Sequence, residues 1–236
     1  MKHKLIYKLL FMSILSWFGT QVEAQTQSLQ DWANLNRYQA ENSTLTAPAK
    51  GENRVVFMGN SITQGWKETH PEFFTSNPFI GRGISGQTTP QMLIRFRQEV
   101  IALQPKVVVI LAGTNDIAGN TGPSTLEMIV DNIASMTEIA RANGIKVIIS
   151  SVLPAYDYPW KPGKEPNIKI PQLNALLKSY CEKNKVMYLD YFSKMVNEKN
   201  GMIAEYTTDG VHCTSKGYDV MESLVKPAIE KVLKTK

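Results

Sequence analysis

Two spacings of apolar residues alternate along the chain from residue 54 onward. Arg54–Met58 (RVVFM), Lys106–Ala112 (KVVVILA), Ile145–Ser151 (IKVIISS) and Val186–Asp190 are short apolar runs, and Pro78–Gly81 is a weaker one. Such runs, β-branched and without polar alternation, predict strands buried on both faces. Between them Leu126, Ile129, Ile133, Met136 and Ile139 recur at intervals of three and four. That spacing predicts a helix over Ser124–Asn143 with one buried stripe, ended by Gly144. Thr89–Ile101, with Pro90 in its first turn, Pro171–Lys185 and Ser215–Leu233 read as further helices. Ser28 to about Glu41 reads as a short amphipathic helix, and Asn42–Glu52 as a polar connection. Strands alternating with helices predict an α/β fold with a five-stranded parallel sheet covered on both faces. In such sheets ligands bind beyond the carboxyl ends of the strands.

The first residues follow a different pattern. Lys2, Lys4 and Lys8 precede an uncharged run from Leu9 to Val22, and Val22-Glu23-Ala24 resembles a small-x-small cleavage site. Residues 1–24 therefore read as a secretory signal, leaving 25–236 as a single domain in the periplasm or outside the cell. The run is short of the roughly 17–25 residues of a membrane-spanning helix. An uncleaved anchor is the alternative; no cysteine follows to suggest a lipoprotein. Once the signal is removed, no stable membrane span is expected.

Composition narrows the chemistry. A chain of 236 residues, 43% apolar and 20% charged, can bury one sizeable core. Removing the signal lowers the formal charge from +5 to +3, and the remaining basic residues are dispersed. Nucleic acid is therefore not an expected partner. Of the three histidines His3 falls in the signal, so a metal site would have only His70 and His212 to draw on. No metal and no cofactor is expected. Cys181 and Cys213 are expected to be free and at least partly buried, since a bridge needs a geometry that spacing does not supply.

The residues after the strands carry the chemistry. Gly59-Asn60-Ser61 follows the first, Gly83-Ile84-Ser85-Gly86-Gln87 the second, Gly113-Thr114-Asn115-Asp116 the third, and Asp209-Gly210-Val211-His212 precedes the last helix. Together they offer a serine, backbone and amide donors, and a histidine with a carboxylate three residues away. Acyl transfer needs all of these: a base to activate the hydroxyl, a carboxylate to orient the base, and donors for the oxyanion. Singly each is ordinary. Serine is a favoured helix N-cap, and Asp-Gly is a common turn.

Four blocks, VVFMGNSITQGW, RGISGQTTPQML, VVVILAGTND and TTDGVHCTSKGY, resemble in order those of the SGNH hydrolases, the GDSL-type esterases. The resemblance covers nearly all of the chain after the signal. It implies a flavodoxin-like three-layer α/β/α domain and metal-independent ester hydrolysis. It also implies that Ser61 is the nucleophile, with Asp209 and His212 completing the triad. The N–H groups of Ser61 and Gly86 and the side chain of Asn115 would form the oxyanion hole. The usual Gly-Asp-Ser is here Gly-Asn-Ser, and the proline that often follows the catalytic histidine is Cys213. The first change removes a carboxylate beside the serine.

The substrate rests on thinner signals. Ala155–Pro171 is polar and proline-rich and reads as a loop over the site, with Tyr156, Tyr158 and Trp160 interleaved among polar residues. Aromatic faces beside polar groups suit sugar rings, although they could equally pack the loop down. Asn60, Trp66, Gln87, Tyr156 and Trp160 are the candidate substrate contacts. The expected function is hydrolysis of short-acyl, chiefly acetyl, esters on a small molecule or glycan. A lipid-directed acylhydrolase of the lysophospholipase or platelet-activating-factor acetylhydrolase kind is an alternative. A non-catalytic glycan-binding protein on the same fold is another. Gly81-x-Gly83-x-x-Gly86 matches the dinucleotide-binding spacing, but its preceding strand is weak and no acidic residue follows at the required distance.

Overall fold

A computed structural model describes residues 31–235, so the signal reading of residues 1–24 lies outside the described residues. The strands are β1 (Val55–Gly59), β2 (Phe79–Gly83), β3 (Val107–Leu111), β4 (Lys146–Ser150) and β5 (Met187–Leu189). They form one sheet in the order β2-β1-β3-β4-β5, and every pairing is parallel. The helices are α1 (Gln39–Thr44), α2 (Ser61–Thr69), α3 (Pro71–Thr75), α4 (Thr89–Glu99) and α5 (Thr114–Ala118), followed by α6 (Leu126–Ala142), α7 (Pro166–Asn184), α8 (Phe192–Met195) and α9 (Ser215–Lys234).

Strand residues alternate between the two faces, and the core divides accordingly. Val56, Met58, Val108, Ile110, Val147 and Ile149 pack with Met92 and Phe96 of α4, Ile129, Ile133 and Met136 of α6, and Leu173 and Leu177 of α7. Val55, Phe57, Val107, Val109 and Ile148 pack on the opposite side with Ile62 and Trp66 of α2, Phe73 and Phe74 of α3, and Tyr218, Met221, Val225 and Ile229 of α9. The apolar runs lack alternation because both faces of each strand are covered. The result is the three-layer α/β/α arrangement.

Three differences from the sequence reading exceed small shifts at element ends. Residues 31–38 form turns, and the first described helix starts only at Gln39; Asn34, at φ 55°, interrupts any longer helix. α7 begins at Pro166, so the last residues of the expected 155–171 loop are helical. Pro166 suits the first turn, whereas Pro171 leaves the carbonyl of Asn167 without its helical donor. The side-chain amide of Asn200 donates to that carbonyl at 3.1 Å, which offsets the loss. Finally, Gly81 and Gly83 lie inside β2, so the apparent dinucleotide spacing has its first two glycines in a strand instead of a phosphate-binding turn.

The strand order places β1 and β3 side by side, with chain continuing outward from each toward opposite edges. Such a switch point opens a crevice at the carboxyl ends. Ser61 follows β1 there, and Asn115 follows β3.

Candidate active site

Ser61 is the first residue of α2, and Asn60 caps the helix: its side-chain oxygen accepts from the N–H of Ile62 at 3.0 Å. Asparagine caps about as well as aspartate, worth about 1 kcal/mol, and places no charge beside the serine. Because Asn60 is buried and spent on this cap, it is a support of the Ser61 turn and does not line the cavity. The hydroxyl of Ser61 lies 3.0 Å from Nε2 of His212. On the other side of the ring Nδ1 donates to Oδ2 of Asp209 at 2.7 Å, which leaves Nε2 to accept the serine proton.

Asp209 is held by its own turn. Its Oδ1 accepts from the backbone N–H groups of Val211 (2.9 Å) and His212 (2.8 Å). Partial burial alone would raise the carboxyl, but the hydrogen bonds from the His212 backbone and ring and from Val211 outweigh it and hold Asp209 below its ordinary value. It is therefore a carboxylate at neutral pH, in the state that orients an imidazole.

Gly86 and Asn115 border the same space. Gly86 has φ +75°, a left-handed conformation that turns the loop after β2 back toward Ser61. Asn115 donates one amide hydrogen to the carbonyl of Gln87 at 3.0 Å, which fixes the orientation of its Nδ2. Ser61, Ser85, Gly86, Asn115, Asn120, Trp160 and His212 together line a cavity of 210 Å³. Trp160 stands over the base, its ring 6.0 Å from the His212 ring, and stacks at 5.1 Å on the buried Tyr158.

The other candidate contacts lie elsewhere. Trp66 is 1% exposed, packed between Phe73 and Tyr218 with its indole N–H on Glu222 at 3.1 Å, so it is core and not a pocket wall. Gln87 is buried too: its amide donates to the carbonyl of Ala33 at 2.7 Å and its oxygen accepts from Arg95 at 2.5 Å. Its backbone carbonyl, not its side chain, bears on the site. Tyr156 is exposed and borders a separate 320 Å³ depression that Asp209 also lines.

Several supporting residues carry no motif of their own. Arg95 is fully buried and donates to the carbonyls of Gly59 and Arg82, both at 2.9 Å, as well as to Gln87. It ties the end of β1, the end of β2 and the support of Asn115 to one guanidinium. Burial lowers its pKa to about 10, which still leaves it cationic at neutral pH. Asp116, beside Asn115, accepts from the N–H of Thr89 (3.0 Å) and its hydroxyl (2.6 Å), fastening α5 to the start of α4. Burial is the larger influence on Asp116 and raises its carboxyl above the ordinary value. Asn120 donates to the carbonyl of Gly86 at 3.0 Å and accepts from the indole of Trp160 at 3.4 Å. It joins the Gly86 loop to the tryptophan.

The helices that begin at Ser61 and just after His212 are stapled together. Tyr218 of α9 donates to the carbonyl of Ile62 at 2.9 Å, and Glu222 accepts from both Trp66 and His70. His70 also meets the hydroxyl of Ser215 at 2.7 Å. Among the described residues, no three His, Cys, Asp or Glu side chains gather as a metal site, and no helix is long and apolar enough to cross a membrane.

A sequence model of the GDSL-like Lipase/Acylhydrolase family matches residues 57–220, which takes in the serine turn, both donor loops and the aspartate–histidine turn. The chain belongs to that family. That family is one of ester hydrolases, for which small esters are the implied substrates. A Bacteroides fragilis protein of known structure (BF3764) is 54% identical, with a TM-score of 0.84 over 86% of this chain and 99% of its own. A GDSL-like lipase from Bacteroides thetaiotaomicron is 53% identical, with a TM-score of 0.83 over 84% and 98%. An acetylxylan esterase from Xylanibacter ruminicola is 24% identical over 250 residues, covering 90% of this chain. The chain spans about half the length of the first curated relatives that it matches, 49% of that esterase and 53% of the Bacillus subtilis lipoprotein YqeF.

Proposed function

We propose that the chain is an exported serine esterase that removes short acyl groups, chiefly acetyl, from carbohydrate. The observation that carries the chemistry is the unbroken line from Ser61 through His212 to Asp209, 3.0 Å and 2.7 Å, opening on a cavity of 210 Å³. As the Ser61 oxygen attacks the ester carbonyl, Nε2 of His212 takes its proton and Asp209 stabilises the imidazolium. The carbonyl electron pair moves onto oxygen, which the N–H groups of Ser61 and Gly86 and the amide of Asn115 receive. Collapse expels the alcohol, protonated by His212, and leaves the acyl group on Ser61. Water, deprotonated by the same base, then releases the acid.

The size and polarity of the cavity favour a small acyl group. It is below the roughly 300–1,000 Å³ typical of sites that enclose drug-sized ligands. Serine, glycine and asparagine line it beside one indole, with no aliphatic side chain to hold an alkyl tail. The acetylxylan esterase relative, though distant, lends the carbohydrate reading support. Export rests on residues 1–24, whose removal would leave 25–236 as one domain.

The test is a chain-length series with Ser61→Ala as control. Rates should fall steeply from p-nitrophenyl acetate to octanoate, vanish in Ser61→Ala, and be accompanied by acetate release from acetylated xylan. Rates rising with chain length would replace this reading with a lipid-directed acylhydrolase. Undiminished turnover by Ser61→Ala would end the serine mechanism.

A further inference from the structure

The cavity around Ser61 has a neighbour at the Gly86 loop. Ser85, Gly86 and Asn120 belong both to its wall and to a second, wider depression of 490 Å³. Asp31, Trp32, Asn34, Gln91 and Lys161 also border it. The residues shared by the two spaces are those beside the expected oxyanion position, so the depression adjoins the place of the reacting ester.

The backbone that presents Trp32 is fastened. Gln91 donates to the carbonyl of Trp32 at 2.7 Å, Gln87 to that of Ala33 at 2.7 Å, and Gln98 to that of Leu35 at 2.7 Å. Asp31 spends its carboxylate on the turn itself, accepting from the N–H groups of Leu35 and Asn36. Against this fixed backing the Trp32 side chain is 43% exposed. A lone exposed aromatic is ordinary on a protein surface. This one stands on a pinned segment, in a depression that shares three wall residues with the serine cavity and is otherwise bordered mainly by amides, hydroxyls, the Asp31 carboxylate and one ammonium.

That composition selects a ligand chemistry. A flat indole offers a face to the C–H side of a sugar ring, while the amide of Asn34 and the ammonium of Lys161 can meet its hydroxyls. An alkyl chain would leave those polar groups desolvated without partners. A polyanion would find a single cation. We propose that the depression is a leaving-group subsite that holds the sugar residue next to the acylated one, stacked on Trp32 and hydrogen-bonded by Asn34 and Lys161. The inference rests on the carbohydrate reading above and adds to it the residues that recognise the sugar.

The experiment uses the full chain and two substrates, p-nitrophenyl acetate and acetylated xylotetraose. In Trp32→Ala the KM for the oligosaccharide should rise about ten-fold, as expected for loss of one stacking platform, with kcat within two-fold. Lys161→Ala should raise KM less. Turnover of p-nitrophenyl acetate, which carries no sugar, should match wild type and would also certify folding. Unsubstituted xylotetraose should shift the tryptophan fluorescence of Ser61→Ala, and that shift should be lost in Ser61→Ala/Trp32→Ala. An oligosaccharide KM unchanged in both single variants, with wild type active on it, would overturn the subsite alone. Wild type that cleaves p-nitrophenyl acetate but not the oligosaccharide would overturn the carbohydrate reading and the subsite with it.

Discussion

Gly65 and Tyr218 form the contact through which α2 and α9 meet behind the serine. Tyr218 is 2% exposed, lies nearly parallel to Trp66 with centroids 5.8 Å apart, and donates to the carbonyl of Ile62 at 2.9 Å. A Cβ on Gly65 would stand 2.8 Å from the phenolic oxygen, too close unless the ring moves. Alanine for glycine in a helix interior is worth about 0.8–1 kcal/mol by itself. Overpacking a filled site costs about 1–3 kcal/mol. A lost buried hydrogen bond adds about 1 kcal/mol if the ring retreats. Gly65→Ala should therefore destabilise by about 1–3 kcal/mol, the sum of these three effects.

Removing the hydroxyl reverses the sign. The next Tyr218 atom is Cζ, 3.9 Å from the added Cβ, an ordinary contact. In a Tyr218→Phe background Gly65→Ala should stabilise by up to about 1 kcal/mol, while Tyr218→Phe alone costs about 1 kcal/mol. The coupling between the two sites is then about 2–4 kcal/mol. Urea unfolding of the four proteins measures it through the midpoints at constant slope. Turnover of p-nitrophenyl acetate should fall most in Gly65→Ala, because a displaced α9 carries His212 with it. Equal destabilisation by Gly65→Ala in both backgrounds would refute the reasoning.

Other consequences are as direct. Asn115→Ala should lower kcat by about 10²–10³ with little change in KM, since the amide is placed for an oxyanion that forms only in the transition state; a loss below three-fold would remove Asn115 from that role. Cys181 and Cys213 are free and buried, and burial pushes both thiols up to about 12. Neither should react with Ellman's reagent at pH 8 until urea unfolds the chain, when both should; rapid native labelling would contradict the packing. Asp209 sits below its ordinary value of 3.8 when folded, so its ionised form stabilises the fold above about pH 4 and that contribution disappears as pH falls through the folded value. Asp209→Asn should therefore cost more stability at pH 7 than at pH 3 in urea titrations, and an equal cost at both would show that its charge does not matter.

The layers of the fold were legible in the sequence because strand burial and helix amphipathicity leave periodic marks. The loop residues that follow the strands were legible as chemistry only in combination. Trp66 misled because closeness in sequence to Ser61 is not closeness in direction. Five residues along a helix at about 100° each turn a side chain roughly 140° away, into the sheet. Pro171 misled because a proline usually marks a first turn, and the amide from Asn200 that lets it sit further inside α7 is distant in sequence. Asn120 carries no local signal: it matters only because the Gly86 loop and Trp160 come to it from 34 and 40 residues away. Arg95 reads as one basic residue on a helix until three separate segments converge on it.

Asp209 and His212 meet within a single turn, three residues apart, whereas Ser61 reaches His212 across 151 residues. Assembly of the site thus divides into a local event, cheap in chain entropy, and one long-range docking. During refolding the carboxylate–imidazole pair can form and dissolve many times before the serine arrives. Recovery of esterase activity should then follow a single step, the seating of α9 against α2, even if the sheet has closed earlier. The enzyme would serve as its own clock for that step, timing one helix with a coloured product.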